Sequence, residues 1–293
     1  MSSFTQGLDI LLRQLRSLDT TNRPRFDQSL IDRIKRLETE GTEGSVETIS
    51  AAVGMSSGSS AVVQQQPSPS PTDEQELVPA DREQRIAALR EKVLVCTKCS
   101  HLAAFRHTVV FGVGNPSADL MFVGEAPGAD EDLRGEPFVG RAGELLTRII
   151  ETMGFRRGDV YIANVLKCRP DIPEGSSGNR PPTLDEMQTC LPYLRAQIEI
   201  IQPKVMVALG GVAMRGLFGS SEPMKSLRGR WHDFGNIPVM ATFHPSYLLR
   251  NQALSEKRKV WEDMLQVLER LRVPITQKQQ NFFLGKSGSP TNP

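Results

Sequence analysis

With 293 residues, 39% of them apolar, and a net charge of +1, the chain is long enough for one sizeable core plus appendages. It has no run of about 18 apolar residues that would serve as a membrane span, and its first residues, with Asp9 and no apolar stretch, lack the pattern of a secretory leader, so the expected compartment is the cytoplasm. The small net charge hides an asymmetry: residues 1–80 carry 7 basic and 11 acidic side chains and residues 81–293 carry 28 and 23, a mild lean of the second part toward a polyanion.

Phe4, Leu8, Leu11, Leu12, Leu15 and Leu18 form one helical stripe, and Leu30, Ile31, Ile34 and Leu37 a second after Asn22-Arg23-Pro24. Residues 1–40 are therefore expected as an amphipathic helical extension, too short to fold alone, that either docks on the main domain or on a partner or stays partly disordered. From 41 to 80 the composition turns to Ser, Gly, Thr, Gln and Pro without either period, which predicts a flexible linker spanning roughly 35 Å by random-coil scaling.

The domain expected over 81–273 opens with a helix leading to Cys96-Thr97-Lys98-Cys99. Apolar runs then predict strands at Leu120–Val123, Val160–Ala163, Val205–Leu209 and Val239–Phe243, alternating with helical patterns, the last over Ser255–Leu271. That alternation predicts a three-layer α/β/α fold around a four-stranded, mainly parallel sheet. Ala142, Leu145, Leu146, Ile149, Ile150 and Met153 recur at helical spacing after Gly140. Thr183-Leu184-Asp185-Glu186 reads as a capping box for the helix carrying Cys190, whose start Pro192 is expected to delay or kink. Pro274 ends the last helix and opens a tail over 274–293 that is expected to be flexible.

Each predicted strand gives way to polar or small residues: Gly124-Glu125-Ala126-Pro127-Gly128, Asn164, Gly210-Gly211 and His244-Pro245. In an alternating α/β chain these ends share one sheet edge, where open sheets of this kind bind ligands. All four cysteines, Cys96, Cys99, Cys168 and Cys190, lie in this domain, with none left over. A C-x-x-C pair plus two further thiols suits a tetrahedral metal or an iron-sulfur cluster, and spacing alone does not choose between them.

GEAPGADED with GEPFVGRAG, then NVLKCRP, the C-x-x-C upstream and HPSYLLRN downstream resemble, in order over about residues 90–272, the family 4 uracil-DNA glycosylases. The resemblance implies excision of uracil from DNA, leaving an abasic site, and a four-iron four-sulfur (4Fe-4S) cluster on the four cysteines. It further implies that Glu125, Ala126 and Pro127 give backbone contacts to uracil, that Phe138 stacks on it, that Asn164 reads its edge, that Glu131 fills the space a thymine methyl would need and that His244 contacts O2. These roles suit the chemistry. A base inside a duplex must be extruded to be reached. One carboxamide complements the O4 acceptor and N3–H donor of uracil, a pattern that cytosine reverses. A donor at O2 strengthens as negative charge develops on the leaving base.

Two features depart from the wider family. Where many uracil glycosylases carry a water-orienting aspartate, this chain has Ala126, so the reaction is expected to rely on leaving-group stabilisation. The Cys168–Cys190 interval is lengthened by Asp171–Gly178, read as a surface insertion. Tyr247, Leu248, Leu249 and Arg250 are expected to form a loop that enters the duplex, with an apolar wedge and a phosphate-meeting arginine. Gln279, Phe282 and Phe283 have the spacing of short peptides that dock on sliding clamps; the competing expectation is that the phenylalanines pack on the domain. The enzyme is expected to act as a monomer on single- or double-stranded uracil-containing DNA. The alternative, a non-catalytic DNA-binding or polymerase-associated module, leaves the intact Asn164, Phe138 and His244 without a purpose.

Overall fold

The structure, a computed structural model, describes residues 79–172 and 178–284. The helical extension and linker expected over residues 1–78 lie outside the described residues, as do residues 173–177 of the long Cys168–Cys190 interval.

Helices α1 (Pro79–Leu94) and α2 (Ser100–Phe105) precede a six-stranded sheet. Its strands are β1 (Val113–Gly114), β2 (Leu120–Gly124), β3 (Tyr161–Asn164), β4 (Val205–Leu209), β5 (Trp231–Phe234) and β6 (Ile237–Thr242), in the spatial order β1-β3-β2-β4-β6-β5. The four expected strands are the parallel centre, β3-β2-β4-β6, and an antiparallel strand is added at each edge. β1 is too short to show a period. β5 joins β6 through Gly235-Asn236, both with positive φ (58° and 72°), a two-residue turn whose twist matches a hairpin.

The apolar run of β2 is buried along its whole length because helices cover both faces. Leu120 and Phe122 point into a core shared with Leu146 and Ile150 of α4 (Arg141–Met153) and Trp261 and Met264 of α9 (Leu254–Arg270), α3 being the short helix Ala129–Arg134. Met121 and Val123 point the other way, toward Leu194 and Ile198 of α5 (Leu184–Ile201) and Met214 of α6 (Gly211–Phe218). Strand periodicity of two thus builds two cores from one segment. α7 (Met224–Leu227) and α8 (Pro245–Arg250) are short connectors beside them.

The expected delay in α5 does not occur. Glu186 N–H donates to Thr183 Oγ1 at 3.3 Å and Thr183 N–H to Glu186 Oε2 at 2.7 Å, so the capping box starts the helix at Leu184 and Pro192 lies within it. Proline there forfeits one backbone bond, while Cys190, Leu194 and Ile198 bury that face and hold the helix through it.

Up to Leu284 the tail is docked on the domain, with a short helix α10 (Gln277–Gln280). Gln279 Nε2 donates to the Thr152 carbonyl at 2.9 Å, Trp261 Nε1 donates to the Gln279 carbonyl at 2.6 Å, and Phe282 meets Trp261 edge-to-face at 5.4 Å. The flexible tail expected from residue 274 is corrected to that extent: an apolar ring beside Trp261 removes more surface from water than a free segment could. Gln279 and Phe282, two of the three clamp-docking candidates, are engaged within the chain. Phe282→Ala with Phe283→Ala is expected to cost on the order of 2 kcal/mol, about half of a fully buried Phe→Ala because Phe282 is only half-buried, seen as a lower thermal midpoint with excision on short oligonucleotides unchanged.

Candidate active site

The carboxyl ends of β2, β3, β4 and β6 open on one crevice, lined by Glu125, Ala126, Pro127, Phe138, Asn164, Gly210, His244 and Arg250 among others, with a volume of about 580 Å³. All four strand-end segments expected to converge do so. The β2–β3 pairing continues past both strand ends: Val165 N–H donates to the Gly124 carbonyl at 3.0 Å and Leu166 N–H to that of Glu125 at 3.1 Å. The Glu125 turn is thereby fixed against Asn164. At Gly124 a β-carbon would stand 2.4 Å from Asn164 Oδ1 and 2.6 Å from the Phe138 ring, so only glycine lets the two side chains approach each other.

Phe138 is 6% exposed and holds a left-handed backbone, φ 55°, uncommon for an aromatic residue. Two sets of bonds impose it. Glu131 Oε1 accepts from Val139 N–H (3.0 Å) and Gly140 N–H (3.1 Å), while its Oε2 accepts from Gly128 N–H (3.1 Å). On the other side, Arg157 Nη2 donates to the Pro137 carbonyl at 2.5 Å. Glu131 lines the crevice, and it also ties the Gly128 turn to the Phe138 loop. Those three backbone bonds were not legible in the spacing of the sequence.

Asn164 is 2% exposed, and its buried Oδ1 has no hydrogen-bond partner among the described residues. Buried amide oxygens are normally paired, so this one points to a ligand donor. His244 caps α8: its Nδ1 accepts from Ser246 N–H at 3.2 Å and lies 2.8 Å from Ser246 Oγ. An Nδ1 that accepts leaves the ring proton on Nε2. Burial, with the nearby Arg250 charge adding to it, pushes His244 down to about 4, so the imidazole is neutral near pH 7 and remains a donor. Its ring lies 5.5 Å from that of Phe138. Burial also raises the Glu125 carboxyl, and Arg215 opposes the rise.

The expected duplex-entering loop is the short helix α8, and its residues divide. Leu248, 5% exposed, belongs to a small core with Phe243 and Val260. Tyr247 stacks on Phe243 at 4.4 Å and donates its hydroxyl to Glu256 Oε2 at 2.9 Å. Both are removed from the wedge set, because one helical turn presents only one side to the outside. Leu249 is half-buried and Arg250 exposed, and these two remain.

The four cysteines are free of disulfides and line a second, small cavity walled by Val93, Leu102, Val109 and Tyr193. Arg106 Nη1 donates to Cys168 Sγ at 3.0 Å and Lys167 N–H to Cys190 Sγ at 3.3 Å. Burial pushes the Cys190 thiol up to about 11 and raises Cys99 and Cys168, and close thiol neighbours raise all three further. Four thiols lining one cavity, two of them buried with donors aimed at their sulfurs, fit a metal–thiolate group, which replaces their protons with metal charge.

Sequence reasoning also missed Lys167, which lines the cysteine cavity, and the Asn179–Pro181 segment. Lys167 is 1% exposed, and its Nζ donates to the Asn164 carbonyl at 2.9 Å and to Gln197 Oε1 at 2.5 Å. Burial lowers it to about 8, with Cys190 and Cys168 opposing. Asn179, Arg180 and Pro181, directly after the stretch read as a surface insertion, form part of the crevice wall. Arg180 pairs with Asp171 and, at 2.6 Å, with Glu186, whose carboxyl it holds down at about 2. The signal for the first was a lysine between the strand-end Asn164 and Cys168 in NVLKCRP, and for the second the Gly-Asn-Arg-Pro stretch.

The family description of the uracil DNA glycosylase superfamily matches residues 111–265. Over 185 residues the chain is 46% identical to a type-4 uracil-DNA glycosylase of Thermotoga maritima, covering 62% of this chain and 93% of that protein. Type-4 uracil-DNA glycosylases of Sulfurisphaera tokodaii and Saccharolobus solfataricus are 40% and 41% identical over 206 and 207 residues, each covering 67% of this chain and 89% and 91% of the relative.

Proposed function

Since the chain belongs to the uracil DNA glycosylase superfamily, in its type-4 branch, we propose that the Asn164–Phe138–His244 crevice is where it excises uracil from DNA. The enzyme hydrolyses the N-glycosidic bond of a flipped-out deoxyuridine and leaves an abasic site. The observation that carries the assignment of residues is the buried, unpartnered Oδ1 of Asn164 beside a stacking ring and a neutral imidazole donor. Uracil N3–H supplies the donor that this oxygen lacks, and the Asn164 amide N–H meets O4. Phe138 supplies the stacking face and Glu131 closes the space at C5. The backbone of Glu125, Ala126 and Pro127 borders the base. As the glycosidic bond stretches, negative charge gathers on the base, and the Nε2–H of His244 stabilises it at O2. Ala126 offers no group to hold water, so the attacking water is weakly positioned and departure of the base leads. Leu249 and Arg250 meet the duplex, Leu249 in the vacated stack and Arg250 at a phosphate.

Cys96, Cys99, Cys168 and Cys190 hold a 4Fe-4S cluster in this reading. When bound, the group supplies metal–thiolate bonds that tie together the segment before α2, the end of β3 and α5. The purified protein is expected to be brown, with iron and sulfide in equal amounts; a colourless protein holding one zinc would overturn the cluster. Unbridged thiols suit a reducing compartment, hence the cytoplasm, and one chain carries every crevice residue, which suits a monomer. Clamp docking through Gln279, Phe282 and Phe283 would first have to undo the Trp261 and Thr152 contacts, so it is the less supported reading of the tail. No helix among the described residues is long and apolar enough to cross a membrane. The deciding experiment is incubation with uracil-containing oligonucleotides, single- and double-stranded, with alkaline cleavage afterwards. Absence of nicking on both would sink the reading.

A further inference from the structure

Lys167 raises a problem of charge. Its ammonium is fully buried between the sheet and α5, and among the described residues no carboxylate pairs with it. Its two partners, the Asn164 carbonyl and Gln197 Oε1, are neutral, and Gln197 is itself held, Nε2 donating to the Phe111 carbonyl (3.0 Å) and to the Tyr161 hydroxyl (3.1 Å). A buried cation with only neutral partners is costly, and replacing lysine by an apolar residue of similar length would remove the cost. Lys167 also lines the cavity that holds the four cysteines, and its own backbone N–H donates to Cys190 Sγ. The same side chain bonds the backbone of the residue whose carboxamide faces the crevice.

We propose that Lys167 is the internal counter-charge of the cysteine quartet and, through the Asn164 carbonyl, the positioning residue that couples the occupied quartet to the uracil-reading carboxamide. This rests on the reading of the quartet as a cluster site. Four thiolates and their iron form an anionic group; Lys167 and Arg106 both line its cavity, and of the two only Lys167 also bonds the backbone of the crevice residue Asn164. Chain order makes the coupling short, since Asn164, Lys167 and Cys168 lie within five residues.

The test uses the full chain, expressed and purified without oxygen, with Lys167→Met, Lys167→Arg and Lys167→Gln beside the parent. Iron and sulfide per chain, the cluster's reduction potential and single-turnover excision are measured on each. Methionine keeps the bulk and drops both charge and donor; arginine keeps the charge; glutamine keeps a donor for the Asn164 carbonyl without charge. Because a nearby cation favours the more negative, reduced cluster, K167M and K167Q are expected to lose at least about half of their iron or to show a more negative potential, with K167R near the parent. Excision by K167M is expected to fall about tenfold, the worth of one buried hydrogen bond, and K167Q to recover most of it. K167M that fails to fold while K167R folds and holds iron would support the counter-charge in a stronger form. Full iron at unchanged potential in K167M, or failure of both K167M and K167R to fold, would overturn it, the second because packing and not charge would then be at stake. A parent protein without iron would instead overturn the cluster reading itself, and the counter-charge with it.

Discussion

His244→Ala is expected to slow single-turnover excision of uracil about 100- to 1,000-fold, the worth of one preorganised donor at roughly 3–4 kcal/mol, while affinity for uracil-containing DNA changes little. The asymmetry comes from when the bond matters. In the bound ground state O2 carries an ordinary carbonyl dipole; in the transition state it carries much of the leaving group's charge. In the proposed role His244 is ready for that moment, since its Nδ1 accepts from the Ser246 backbone and its Nε2 keeps the proton. The pH dependence tests the same point. An ordinary histidine would charge below about 6.5, whereas His244 stays neutral until pH approaches about 4. The histidine-dependent part of the rate should therefore run flat from pH 8 down through 6 and bend only near 4. Stability has the matching sign: the unfolded chain takes up the proton at the ordinary value and the folded one resists, so this contribution is full above about 6.5 and is lost as pH falls toward 4. A rate step near 6.5 in the parent, absent in His244→Ala, would show that the imidazole works in its charged form.

Asn164→Asp should cut uracil excision about 100-fold or more at neutral pH with the fold retained, because the side chains are nearly the same shape. At 2% exposure a carboxylate there would be strongly desolvated, and in its ionised form it would face the O4 lone pairs of uracil and the charge developing on the base. Protonated, it presents one hydroxyl donor and one acceptor, the complement of cytosine's N3 and N4–H. The companion measurement is excision from cytosine-containing strands across pH, where a gain at low pH identifies Asn164 as the edge-reader. Uracil activity equal to the parent's would reject that role.

The central strands and the crevice were legible in the sequence, and the edges were not, for a physical reason. β2 and β4 are buried on both faces, so their apolar runs stand out between polar turns. β1 is two residues long and β5 carries His232 and Asp233 on a half-exposed edge, so neither shows a run. Asn164 and His244 were readable because each stands where an apolar strand stops, and the alternation places such stops on one edge. Lys167 and Glu131 act through backbone carbonyls and N–H groups, which leave no trace in side-chain pattern. Leu248 misled because Leu248-Leu249 is a pair with no period: one turn of helix sends one leucine inward and the other out, and only the neighbours Phe243 and Val260 decide which.

Gly124 and Gly143 bear on how this site can change over generations. At Gly143 an added β-carbon would lie 1.8 Å from the Phe138 carbonyl oxygen, and at Gly124 it would strike both Asn164 and Phe138. Neither position can accept even alanine without moving Phe138, so drift at both is closed although neither carries a side chain into the crevice. Adaptation toward another base is therefore left to the residues that border the crevice with a side chain, such as Asn164 and Asn179, and exchange at Glu131 would also release the Gly128, Val139 and Gly140 N–H groups that its carboxylate holds.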